Sequence, residues 1–486
     1  MKILIVTPEV DPFVKVGGLA DVAGALPKQI AQMGHDVRLL CPLYGSIRPT
    51  DEWHAEDRPF VVRMGNGYKH ARLWQTHLPK SKVIVYFVEH RHYFDRHEVY
   101  TGPWGAHGDN DDRFAFLSRA GIDLCYHLHW FPDVIHAHDW PTALLPVMLN
   151  TTEAEGPLNE TASVLTLHNL EHQGIFNYDL IHKAGLPEWT FRPDGLESLG
   201  KVNMLKGGIY HATKLTTVSP TYAQEIQHPI GGAGLHDVLK FRAADLVGIL
   251  NGVDSDVWNP AVDPLIPTPY SANRLAGKKA CKEELQRVFH LKVDPTVPVF
   301  GVISRFAYQK GLDLLEKIIT HIAEKMRVQF VILGEGDKYL EHIFGELPKH
   351  FSGKIGSYIG FSNVLAHLVE AGSDFLVMPS RFEPCGLNQM YSMIYGTVPI
   401  VRATGGFVDS VEQYAEGKNQ GTGFMFWSPT EEALYNTIGW ACATYHDRPA
   451  EFERLRLRGM RKDFSWKASA QKYLDVYKWA IEAVRG

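Results

Sequence analysis

Four stretches of the chain carry residue types that could grip a phosphorylated ligand. Ser380–Gly386 places Arg381 and Glu383 in a turn between an apolar run at 375–378 and a segment of helical spacing from Leu387 onward. A carboxylate, a guanidinium and the unpaired N–H groups of a helix start would meet there, the other reading being a solvated surface pair. Arg305 and Lys310 follow an apolar run at 299–303, and Thr404-Gly405-Gly406 follows one at 398–401. Near the start, Lys15-Val16-Gly17-Gly18 follows a run at 2–6. Cations beside paired glycines, whose backbone N–H groups can approach an anion closely, are what a diphosphate needs. The plainer reading of the Lys15 loop is a tight turn with an exposed lysine.

Metal chemistry has weaker signals. His136 and His138 end one strand-like run and His168 ends another, a pattern that would suit a metal-dependent hydrolase, which chelation should abolish. Asp109-Asn110-Asp111 and Asp254-Ser255-Asp256 match an Asp-x-Asp metal motif, but three-residue matches arise by chance. Asn110 or Asp111 is expected instead to cap a helix starting near Arg113. With no convincing metal site, the expectation is no metal and no cofactor, charged side chains taking the metal's place.

These loops need a scaffold. The 486 residues suffice for two or three domains. A net charge of −6 argues against nucleic acid or a membrane surface as the main partner, and no apolar run approaches the ~20 residues of a span. Five scattered cysteines without a Cys-x-x-Cys pair fit reduced thiols, hence a cytoplasmic setting, a plastid only if a transit peptide is missing. A strand, glycine loop, helix and strand open the chain, and the pattern restarts near residue 299, each half beginning strand, cationic loop, helix. The expected fold class is α/β, two doubly wound Rossmann-like domains facing across a deep cleft. The expected domains are 1–250, 251–466 and a C-terminal helix, 467–486, returning to the first. A meander is expected over 58–88, loops over 91–112, a long functional loop over 170–200 and a helix over 202–212.

Taken together, Lys15–Val22, His136–Trp140, His168–Leu170, Gly248–Asp254, Ser304–Phe306, Gln309–Asp313, Ser380–Leu387, Thr404–Gly406 and Phe464–Trp466 resemble the bacterial glycogen synthases and plant starch synthases. These are retaining glucosyltransferases of GT-B architecture, and the motifs run in family order over nearly the whole chain. The resemblance implies transfer of glucose from ADP-glucose, with UDP-glucose the alternative, to the 4-OH at the non-reducing end of an α-1,4-glucan, without a metal. It implies that Arg305 and Lys310 neutralise the diphosphate leaving group, that Lys15, Gly17 and Gly18 assist, and that Gly405 and Gly406 offer N–H groups to phosphate. Glu383 would hold glucose hydroxyls and stabilise charge at the anomeric carbon. His168 would present its carbonyl to the reacting face, and Asp139 and Asp21 would line the sugar side. Phe361 would stack the base. Asn251, Thr404, Cys385, Gly386, Leu387 and Tyr391 complete the implied donor set. Tyr391 stands where many related transferases carry a second Glu, Phe407 replaces the usual Leu, and His172 replaces a common Tyr. The competing readings are a related transferase of sucrose or trehalose type and a silent glucan-binding protein.

Overall fold

The computed structural model describes residues 1–65, 67–102 and 104–486. The chain forms two units, Met1–Gly252 with Trp466–Gly486, and Val253–Ser465.

The first unit is built on β1 (Lys2–Val6), β2 (Asp36–Pro42), β3 (Phe60–Met64), β4 (Gly67–His77), β5 (Ile84–Glu89), β6 (Val134–His138), β7 (Ala162–Leu167), β8 (Lys214–Thr217) and β9 (Leu246–Gly248). Its sheet runs β9-β8-β7-β6-β1-β2-β5-β4, with β3 paired to β4. From β9 to β5 the pairs are parallel, and β5, β4 and β3 are antiparallel. The central strands are buried because helices cover both faces; all five residues of β6, His136 and His138 included, are buried. Helices α1 (Gly18–Gln32), α2 (Asn110–His127) and α3 (Met204–His211) belong to these layers.

Three local expectations change. Helix α2 begins at Asn110 rather than near Arg113. Asp109, at its N-cap, gives both carboxylate oxygens to Arg96, at 2.7 and 2.5 Å, and Asn110 donates to the Tyr100 carbonyl at 2.9 Å. The helix expected over 202–212 is a strand, Lys201–Asn203, followed by α3, because the Asn203 side chain accepts the Lys206 N–H at 3.0 Å and starts the helix there. The 170–200 loop contains a helix, Asp179–Ala184, and strands Ile175–Phe176 and Glu197–Ser198 in a small sheet with Lys201–Asn203.

The second unit contains helix α4 (Ala276–Val288), strands β10 (Val299–Phe306), β11 (Gln329–Gly336), β12 (Ile355–Ile359), β13 (Phe375–Met378), β14 (Val398–Arg402) and β15 (Phe424–Phe426), and helices α5 (Leu312–Lys325), α6 (Asn363–Gly372), α7 (Asn388–Ile394) and α8 (Gly405–Ser410). The sheet runs β12-β11-β10-β13-β14-β15 with every pair parallel. Phe300 and Phe375 stack across β10 and β13 at 4.7 Å, and each is fully buried, a contribution of about 2–3 kcal/mol per ring. α5 is a helix by its spacing: Leu312, Leu315, Ile319 and Ile322 recur at three and four residues and all face the core. The last helix, α9 (Trp466–Arg485), packs on α1 and β7 of the first unit.

In both sheets the strand order reverses at the centre, between β1 and β6 in the first and between β10 and β13 in the second. Loops on either side of such a point lead away to opposite faces and leave a crevice at the carboxyl ends of the strands. Each stretch singled out by its chemistry follows one of these strands or a neighbour of it.

Candidate active site

In the second unit the loop after β13 carries Glu383, which is 7% exposed. Its Oε2 accepts hydrogen bonds from Lys310 Nζ at 2.6 Å and from Ser380 Oγ at 3.1 Å. The carboxylate and ammonium thus meet at the reversal point, each brought by one of its two strands. Arg381 is not part of this pair. It makes a two-pronged ion pair with Asp313, both contacts 2.6 Å, and lies 4.2 Å over the Tyr308 ring. Its N–H donates to the Gln309 carbonyl at 2.8 Å. Arg381 therefore ties the loop to α5, a structural role that neither sequence reading foresaw. Arg402 adds a second tie through the carbonyls of Ser380 and Arg381.

Behind Glu383 lie the paired glycines at the start of α8. A Cβ on Gly405 would come 2.0 Å from the Glu383 carbonyl oxygen, and one on Gly406 would come 2.1 Å from that of Cys385. The Gly406 N–H donates to the Glu383 carbonyl at 3.1 Å. The expectation that Gly406 offers its N–H to phosphate is corrected: that donor holds the carboxylate's own backbone, and the glycines are there because the two loops touch. Gly386 has φ +69° and faces the buried Phe407 ring, 2.7 Å from where a Cβ would be. Thr404 stands at the N-cap position of α8, and Cys385, Leu387 and the buried Tyr391 lead through the first turns of α7. Arg305 ends β10 exposed and, among the described residues, without an ion pair. Phe361 is 79% exposed beyond β12, its ring open to a stacking partner.

In the first unit a residue that the sequence reading passed over organises the glycine loop. Glu9 is 3% exposed. Its Oε2 accepts the N–H groups of Val16 at 2.6 Å and Gly17 at 3.0 Å, and its Oε1 accepts from the Tyr100 hydroxyl at 2.5 Å. Gly17 therefore gives its N–H to an internal carboxylate rather than to an outside anion, which corrects the expectation for it. Burial raises the Glu9 pKa against the pull of these bonds. An acid three residues past β1 was the available signal. Gly18 opens α1, and Lys15 pairs with Asp21 at 2.5 Å.

Asp139 follows β6 with φ +59°, and its Oδ1 accepts the His168 N–H at 3.1 Å. Burial pushes its carboxyl up to about 8, against hydrogen bonds from the His168 and Asn169 backbone. His168 Nε2 lies 3.0 Å from His138 Nδ1, and burial pulls its imidazole down to about 3, so it is neutral. His136 bonds Tyr477 through Nδ1 at 2.8 Å and Thr166 through Nε2 at 2.6 Å. The histidine row is thus bonded within the core, and among the described residues no group of three or more His, Cys, Asp or Glu could hold a metal ion. Asp254 accepts the Asp256 N–H at 3.0 Å within a turn, and Asp111 pairs with Lys183 at 2.6 Å. Asn251 is buried, with an amide oxygen that has no hydrogen-bond partner among the described residues.

Two doubly wound units, each with charged loops at its sheet reversal, agree with the GT-B architecture expected from the sequence. Residues 2–241 match the family described as starch synthase catalytic domain, and residues 284–451 match glycosyl transferases group 1. The chain is 48% identical to Glycogen synthase 1 of Geobacter metallireducens over 99% of this chain and 96% of that one. It superposes on the catalytic domain of Starch Synthase IV from Arabidopsis thaliana, solved with ADP and acarbose, with a TM-score of 0.92, 32% identity and 99% of each chain covered. A sucrose-phosphate synthase from Thermosynechococcus elongatus, 16% identical with a TM-score of 0.59, shares the fold alone. The chain belongs to the glycogen synthase and starch synthase family.

Proposed function

We propose that the protein extends an α-1,4-glucan with glucose from ADP-glucose, keeping the anomeric configuration and using no metal. The observation that carries this reading is the Lys310–Glu383 pair, 2.6 Å apart at the reversal of the second sheet, with Arg305 at the end of the neighbouring strand. The ADP bound in the Arabidopsis starch synthase supports the adenine donor, and the acarbose bound there supports a glucan acceptor.

In this reading Arg305 and Lys310 neutralise charge on the diphosphate as the bond from the anomeric carbon to the phosphoryl oxygen breaks and that oxygen takes the electron pair. Glu383, held by Ser380, binds glucose hydroxyls and stabilises the positive charge left on the sugar. Phe361 stacks the base, and Thr404 and Gly405 belong to the phosphate side. The acceptor 4-OH attacks on the face from which the phosphate leaves, so its proton passes to the departing phosphoryl oxygen and no side chain forms a covalent bond. Lys15 is assigned to assist at the diphosphate, Asp139, Asp21 and the His168 carbonyl to the sugar, and Asn251 to the donor. A neutral His168 suits positioning by hydrogen bonds better than proton transfer.

The test is the product. Maltooligosaccharide incubated with ADP-glucose should lengthen, and an exo-acting enzyme that releases maltose only from α-1,4 ends should remove the added glucose completely. Resistant product, or hydrolysis of the donor without chain growth, overturns the reading.

A further inference from the structure

Trp258 stands six residues past the point where the chain enters the second unit, in a run of turns that Asp254 begins by accepting the Trp258 N–H at 2.9 Å. Its indole is parallel to two other rings. The His367 ring on α6 lies 3.9 Å from it at 10°, and the Tyr391 ring on α7 lies 3.9 Å from it at 7°. Two parallel rings at that distance from one centroid would overlap if they shared a face, so the indole is sandwiched between them. The column has a fixed base. His367 Nδ1 is 2.7 Å from Asp263 Oδ2, which also accepts the Tyr395 hydroxyl at 2.6 Å. Asp263 Oδ1 takes the Leu265 N–H at 2.8 Å. Burial alone would raise the Asp263 pKa, but the bonds from His367 and Tyr395 hold it below its ordinary value, so the base of the column is an anion.

Ordinary core packing does not need this arrangement. Aliphatic side chains would fill the same volume and leave the tyrosine ring free to tilt, whereas a stack on a ring that is itself stacked and anchored fixes the tilt. The ring so fixed is Tyr391, on the helix into which the Glu383 loop runs. A carboxylate can meet two ligand hydroxyls in several orientations. A phenol offers one oxygen at the end of a rigid ring, so its contact depends on how the ring is held.

We propose that Trp258 is a positioning residue for the nucleotide donor: it clamps Tyr391, backed by His367 and Asp263, so that the α7 face beside Glu383 is preset for the nucleoside diphosphate. This rests on the reading of the second unit as the donor side.

The test compares Trp258→Leu, Trp258→Phe, Tyr391→Phe and the Trp258→Leu/Tyr391→Phe double variant in the full chain. The readouts are kcat, KM for ADP-glucose, KM for glycogen, calorimetric Kd for ADP, and Tm. Trp258→Leu should raise the donor KM and the Kd for ADP about tenfold, leaving kcat and the glycogen KM within about threefold. Trp258→Phe, which keeps a flat ring, should restore most of the loss. The double variant should be little worse than the worse single one, since both remove one coupled element. Unchanged ADP binding in Trp258→Leu, or a loss in kcat and both KM values that tracks Tm and is not rescued by Phe, overturns the proposal. Should Trp258→Leu fail to fold, Tyr391→Phe decides: a Kd for ADP and a donor KM unchanged from the parent overturn the proposal. Arg305→Ala separates the two layers. If it weakens ADP binding and Trp258→Leu does not, the positioning role fails alone; if neither does, the donor assignment fails with it.

Discussion

Lys310 and Glu383 neutralise one another in this structure, so the ammonium proposed for the leaving group is already held by the carboxylate proposed for the sugar. Lys310→Ala removes a cation at the diphosphate and leaves Glu383 with Ser380 alone. It should cost about 2–5 kcal/mol of transition-state stabilisation, a fall in kcat/KM of roughly 30-fold to several-thousand-fold, with Tm moved by only a few degrees. Steady-state kinetics beside a thermal melt check both halves. Asp139 gives a pH signature. Its folded pKa, about 8, lies above the ordinary 3.8, so the folded state holds the proton more tightly than the unfolded chain. Its contribution to stability is complete below about pH 4 and is lost as pH rises through about 8. Asp139→Asn should therefore be as stable as the parent near pH 4 and melt a few degrees higher at pH 8 and above. A gap that does not widen with pH would show that the carboxyl is not raised. The residues that the sequence misjudged share a cause: their partners are remote. Arg381 finds Asp313 68 positions away, and Glu9 binds Tyr100 91 positions away, and no local pattern reports such pairs.

At the scale of elements, the strand at 375–378 was legible to the residue because an apolar run of that length in a parallel sheet has no alternation to blur it. The helix expected over 202–212 was not, because a two-residue pairing with Ile175–Phe176 claims Val202 and Asn203 first. The paired glycines stand out in the sequence as a possible anion loop, but the contact they make between two loops needs the fold to be seen. Gly406→Ala forces a Cβ against the Cys385 carbonyl, with no flexible atom to give way. It should destabilise by about 1–3 kcal/mol or more and displace Glu383, so activity should fall further than stability. The circular-dichroism melt and the assay, run on one preparation, check this. A variant that loses stability yet keeps full kcat would show that the loop contact does not hold the carboxylate.

Over the whole molecule the chain enters the second unit at 252/253 and returns to the first at 465/466. The sequence pointed to a returning C-terminal helix, but not to its bond. The Tyr477 hydroxyl meets His136 Nδ1 at 2.8 Å, His136 Nε2 meets Thr166 Oγ1 at 2.6 Å, and Thr166 meets Thr216 at 2.6 Å, a buried chain from α9 through β6, β7 and β8. Tyr477→Phe leaves a fully buried imidazole nitrogen without its partner and should lower stability by about 1–3 kcal/mol, read as a lower urea midpoint, with kcat little changed. An unchanged midpoint would show that the helix is held by its apolar face alone. The central claim, metal-free glucosyl transfer from an adenine nucleotide sugar, has its most direct test in the rate of nucleoside diphosphate release. Purified protein with glycogen is given ADP-glucose or UDP-glucose in excess EDTA. The account predicts sustained ADP release with matching glucan growth, and slower release from UDP-glucose. Release abolished by EDTA, or none from either donor while glycogen still binds, would contradict it.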